Sequence, residues 1–151
     1  MKRMRGLYTV EFAISGTALL ILVFGCIELC RASYTLASLQ EGTRRAARLA
    51  TVCPVGDQAI SSAVNFMGAY GFTSSNVQLS YLDVNGNSLG SGPNFSSINF
   101  SSIYYVQVGV VNYTIPLSIP FMSAVVTSPS FAVTLPSQSL GLDNTGASTA
   151  C

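Results

Sequence analysis

Between Glu11 and Glu28 the chain runs for sixteen residues without a charge, FAISGTALLILVFGCI. That is a little short of the roughly 20 apolar residues a helix needs to cross a bilayer. Extending the run back to Leu7 gives twenty-one residues but takes in Glu11. A carboxylate inside a spanning helix costs about 2–3 kcal/mol even on a lenient insertion scale, so Glu11 needs a partner or a task. Lys2, Arg3 and Arg5 precede the run, and Arg31 is the lone basic residue just after it. The positive-inside bias then places the N-terminus in the cytoplasm and the rest of the chain outside. A removable secretory signal would end in a small-x-small site. Ala32 and Ser33 could mimic one, but CIELCRASYTLASLQEGTRRAARLA continues in helix formers without a break.

The helical period persists beyond the apolar run. Leu36, Leu39, Thr43, Ala46 and Ala50 recur at three and four and make one stripe. Gly42, Ala46 and Ala50 are small and spaced by four, which lets a neighbouring backbone come close. Glu41 precedes Arg44 and Arg45 by three and four, the favourable order for pairs on a helix face. Pro54 stops the helix at or before Cys53. One helix from about Leu7 to Thr51 would be roughly 68 Å long, half in the membrane and half projecting beyond it.

Only 9% of the residues are charged, and no Lys or Arg follows Arg48. The later part carries Asp57, Asp83 and Asp143 as its only charges and is otherwise rich in Ser, Asn, Gly, Thr and Tyr. It lacks the basic, aromatic-laced surface of a nucleic-acid binder. The absence of histidine removes Ser-His-Asp and Cys-His catalysis and most zinc sites. Six scattered acids offer no catalytic constellation. No catalytic residue, metal or cofactor is therefore expected. Cys26 and Cys30, one helical turn apart, read as small apolar packing residues. Cys53 and Cys151 are the natural disulfide pair if the later part is extracytoplasmic; the alternative is two free thiols.

In that later part Asp57 can cap a short helix, DQAISSAVNFMGAYG, with Ile60, Val64 and Met67 on one face and Gly68 or Gly71 closing it. NVQLSYLDV alternates apolar and polar residues and ends in NGN, a hairpin signal. DVNGNS also has a superficial likeness to a calcium loop, but the glycine is two places early and no acid stands at the twelfth position. SLGSG reads as a short return strand, SIYYVQVGVVNYTI as the longest strand, stopped by Pro116 and Pro120, and SFAVTLPSQS as the last. Of the aromatics, Tyr104, Tyr105 and Tyr113 divide between core and surface. The expected class is α+β: a long N-terminal helix, then a small domain with a short helix and an antiparallel sheet against which the helix's outer half packs.

The leader KRMRG followed by LYTVEF resembles that of a type IV prepilin. The likeness implies cleavage between Gly6 and Leu7 by a membrane prepilin peptidase, leaving Glu11 as the fifth mature residue. The new α-amino group of Leu7 would be cationic and Glu11 would lie on the same helix face one turn deeper. It could pair with its own N-terminus or with a neighbouring subunit's, which would set axial register. VEFA after the leader glycine, GCIELCR at the membrane exit and EGTRRAARLA at the end of the helix narrow the likeness to TadE-like proteins, minor pseudopilins of the tight-adherence (Flp) pilus system. An acid near the membrane exit and an Ala-Arg pair some forty residues in are features of that family, matched here by Glu28 and by Ala47 and Arg48. Phe12 stands where the major Flp pilins carry Tyr, which favours a minor component. The neutral later part departs from family members with more charged tails.

The resemblance implies a leader over 1–6, a long helix over 7–52 that spans the membrane to about residue 30, and an extracytoplasmic α+β domain over 53–151. It implies a single-pass protein of the bacterial inner membrane whose outer domain is periplasmic and can enter an extracellular pilus. Its partners would be the prepilin peptidase, other pilins or pseudopilins and the inner-membrane assembly platform, with no nucleic acid. A signal-anchored periplasmic binding or adhesion module that never enters a filament is the alternative.

Overall fold

The structure, a computed structural model, describes residues 4–65, 71–91, 100–119, 122–149 and 151. Helix α1 runs unbroken over Met4–Val52, as expected from the lack of any proline before Pro54. Hydroxyls in and beside the apolar run bond back to the preceding turn: Thr17 Oγ1 donates to Ala13 O at 2.8 Å and Ser33 Oγ to Leu29 O at 2.9 Å. Such bonds let a polar side chain sit in an apolar helix without an unsatisfied donor. The chain divides into two compact units.

The larger unit holds residues 35–113 and 127–151. Its sheet has the order β2-β1-β3-β6, with β1 Val77–Leu82, β2 Ser88–Ser91, β3 Tyr105–Val110 and β6 Phe131–Pro136, all neighbours antiparallel. Two further strands, β4 Thr114–Ile119 and β5 Met122–Thr127, form a separate pair. In the main sheet, Leu79, Tyr81, Val106 and Val108 point into a core with Ala46, Ala47 and Ala50 of α1. The alanines leave no side-chain bulk between helix and sheet, and Leu39, Thr43, Ala46 and Ala50 are fully buried along the expected stripe. On the polar side Glu41 accepts from Arg45 Nε at 2.9 Å, and that bond holds its carboxyl below the usual range. Helix α2, Gln58–Asn65, is capped by Asp57, whose Oδ1 accepts from Ala59 N at 2.8 Å. Ile60 of α2 is buried in the same core; Met67 and Gly68, also expected in this helix, lie outside the described residues. Tyr113 is buried, with Phe72 edge-on to it, whereas Tyr104 and Tyr105 are exposed.

The smaller unit holds residues 1–34 and 114–126, that is, the first part of α1 and the β4–β5 hairpin. Here the sequence reading needs correction. SIYYVQVGVVNYTI is two strands, broken where Asn112 takes φ 54°, a left-handed conformation that asparagine tolerates better than most residues. The side chain of Asn76 fixes the break by donating to the carbonyls of Val111 and Asn112, at 3.3 and 3.2 Å. Pro116 lies inside β4 and does not end it. A two-stranded pair leaves one edge of each strand free, and there a missing N–H costs nothing.

In the larger unit, the C-terminal end of α1 is finished by a segment far away in sequence. Leu140 N and Gln138 N donate to Thr51 O at 3.2 and 3.1 Å, and Gly141 N to Val52 O at 2.6 Å. Carbonyls left over at a helix end need such donors. Cys53 and Cys151 are joined by a disulfide, with Cα atoms 5.7 Å apart.

Two turns share one design. Asp83 Oδ1 accepts from Asn85 N and Asn87 N, and Asp143 Oδ1 from Thr145 N and Ala147 N, each at 2.8 Å. Gly86 and Gly146 follow at φ 82° and 81°. The first answers the NGN hairpin signal; DNTGA, the second, carries the same cues within the polar tail. Bonds from Thr145 and Ala147 hold the Asp143 carboxyl below its usual 3.8. A lowered folded-state value means the turn is stabilised above the ordinary aspartate range and loses that contribution as pH falls through the folded value. Amide exchange at Thr145 and Ala147 is accordingly expected to be slow at neutral pH and to quicken below about pH 4, relative to the intrinsic pH dependence of amide exchange.

Candidate membrane and assembly site

Gly6, Leu7 and Glu11 all lie within α1 near its start, and all are exposed. The bond between Gly6 and Leu7 lies within the described length of α1, Met4–Val52. Leu7 and Glu11 share one face a turn apart. Among the described residues Glu11 makes no ion pair.

From Leu7 to Ile27 the apolar side chains of the helix are uncovered. Leu7, Phe12, Ile14, Leu19, Leu22, Ile27 and Leu29 are all more than half exposed, Phe12 reaching 80%. The stretch is long and apolar enough to cross a membrane. Apolar surface around the whole circumference suits lipid or a bundle of like helices and not water. Cys26 and Cys30 are exposed too, so the packing role expected for them is not met within the chain, because this length of helix packs on no protein at their positions.

At the end of the apolar run, within the smaller unit, Glu28 and Arg31 form an ion pair. Arg31 donates from Nη2 and Nε to Glu28 Oε2, at 2.7 and 3.2 Å. The same oxygen accepts from Ser118 N at 3.2 Å, and Arg31 also donates to the Pro116 carbonyl. The Glu28 side chain is 12% exposed and that of Arg31 37%. The pair is thus clasped onto the backbone of β4. Its spacing of three was visible in the sequence, but its partners on β4 were not, because nothing local pairs residue 28 with residue 118. Ala47 is buried and Arg48 exposed. Among the described residues no three Cys, Asp or Glu side chains gather in a way that could hold a metal.

The sites therefore fall into groups. Gly6, Leu7 and Glu11 occupy the start of the apolar helix, Glu28 and Arg31 its end, and Cys53 with Cys151 the far end of the stem. No curated protein and no solved structure matches the chain. One family model does match, that of the TadE family, described as TadE-like protein, over residues 6–48. That span, less than a third of the chain, takes in the apolar run, the Glu28 and Arg31 pair and the stem as far as Ala47 and Arg48, and over it the chain is similar to TadE-like proteins.

Proposed function

We propose that this chain is a minor pseudopilin of a tight-adherence pilus, made as a precursor and cut between Gly6 and Leu7 by a prepilin peptidase. The observation that carries the reading is a TadE-like N-terminal region whose apolar helix is bare on all sides. Such a helix is stored in the inner membrane, N-terminus in the cytoplasm and outer domain in the periplasm, and passes from lipid to a bundle of pilin helices. The chain does no covalent chemistry and is itself the substrate of the peptidase. Its other partners are pilins or pseudopilins and the assembly platform.

Glycine before the cut weakens the helix locally, which helps a peptidase draw the bond into an extended form. Once cut, Leu7 carries a cationic amine at the positive end of the helix dipole. Glu11 then meets that amine or a neighbour's. Docking is favoured chiefly because an unpaired charge in an apolar bundle is so costly.

N-terminal sequencing and intact mass of the chain co-expressed with its peptidase should show a mature protein beginning at Leu7. A chain that keeps residues 1–6 would instead be a signal-anchored periplasmic module. Glu11→Ala should be cut normally yet enter pilus assemblies at least about tenfold less, in line with the 3–5 kcal/mol cost of leaving one charge unpaired. Normal incorporation of that variant would remove the register role.

A further inference from the structure

β6 is an edge strand, with β3 as its partner in the sheet. Ser137 N donates to Tyr104 O at 2.9 Å, which marks a hydrogen-bonded pair at the end of the ladder. Such pairs alternate along antiparallel strands. In the register Val106↔Leu135, Val108↔Val133 and Val110↔Phe131, those three residues of β6 turn their N–H and C=O toward β3. Ala132 and Thr134 therefore turn both groups outward, and Pro136 its carbonyl. All three residues are exposed.

Beside this edge lies a furrow whose other wall is α1. One hollow is bounded by Gln40, Thr43 and Arg44 against Phe131, Ala132 and Val133. The next is bounded by Arg48, Thr51 and Val52 against Leu135 and Pro136. Arg44 and Arg48 are exposed, and among the described residues neither makes an ion pair. Glu41 bonds to Arg45 and acts on Arg44 and Arg48 only through its charge, Asp57 caps α2, and Asp83 and Asp143 close their own turns.

We propose that this furrow receives an extended acidic segment of a partner protein as a fifth strand on β6. Its main chain bonds to Ala132 and Thr134, and alternate carboxylates face Arg44 and Arg48. Same-face residues on a strand repeat about every 6.7 Å, and four residues of helix rise about 6 Å, so two carboxylates match two arginines. Strand addition at a free edge takes its affinity from main-chain bonds and its selectivity from alternate side chains. A second copy of this chain fits poorly, since β6 against β6 would bring like arginines together. The proposal is independent of leader processing.

The test uses the full chain in detergent micelles and a seven-residue peptide alternating Glu and Val, with Lys replacing Glu as control. The amides of Ala132 and Thr134 should exchange freely in the protein alone, while those of Val133 and Leu135 are protected. The Glu peptide should slow the two edge amides at least about tenfold and the Lys peptide should not. Arg44→Ser with Arg48→Ser should weaken binding about tenfold or more. Ala132→Pro should abolish it while the sheet survives, because the N–H removed is not in the ladder. Equal binding of both peptides, unchanged binding by the double arginine variant, or edge amides that the Glu peptide leaves fast would overturn the proposal. So would edge protection that grows with protein concentration in the absence of peptide, which would assign the edge to a second copy.

Discussion

Gly141→Val is expected to destabilise the larger unit by about 3 kcal/mol or more, a large fraction of the roughly 5–15 kcal/mol that holds an ordinary domain folded. Two penalties coincide at this position. Gly141 has φ +75°, where an L side chain is strained, and a Cβ there would stand 2.5 Å from Pro54 N and 2.6 Å from its Cδ. Those atoms belong to backbone and a proline ring, so they cannot swing aside. Gly146→Ala is the control. It shares the positive φ, +81°, but nothing lies within 4 Å, and it should cost only about 1 kcal/mol. Thermal unfolding of both variants, followed by near-ultraviolet circular dichroism, separates steric clash from backbone strain. Equal and mild losses would mean that the seat of Gly141 on Pro54 is unimportant.

Cys53→Ser with Cys151→Ser ranks second. The bond closes a loop across a sequence separation of 98. On the chain-entropy model a loop of that size is worth about 4–5 kcal/mol, less any strain. The loss should appear as a lower midpoint of thermal or denaturant unfolding. It should also appear as faster exchange at Leu140 and Gly141, whose N–H groups close the end of α1. An unchanged midpoint in the double variant would show that the hydrogen bonds of the closing segment suffice without the covalent link.

What could be read from the sequence was what is local or periodic. The long helix, its alanine stripe, the Asp57 cap and the β1–β2 hairpin each depend on residues within a turn or two of one another. The break at Asn112 was hidden because Asn76, which holds it, is thirty-six positions away. β5 was missed because Pro116 and Pro120 read as terminators, whereas Pro116 sits inside β4 of a two-stranded pair. The Glu28 clasp on β4 and the furrow along β6 are tertiary in the same sense: their residue types were plain, and their neighbours were not. The leader and Glu11 stand apart. On the function proposed above their meaning rests on processing and on other subunits, which the fold of a single chain does not display.

The closure of α1 by residues 87 to 89 positions further along bears on how the protein is born. In the topology proposed above the chain is threaded across a membrane in order, so the stem would be outside well before its closing segment arrives. Until then the last turn of the helix has bare carbonyls, and its alanine face has no sheet to cover it. Ripening of the outer domain is therefore a late, all-at-once event dominated by distant contacts, which fold slowly. The unfinished stem is the part that a chaperone or oxidant would meet first.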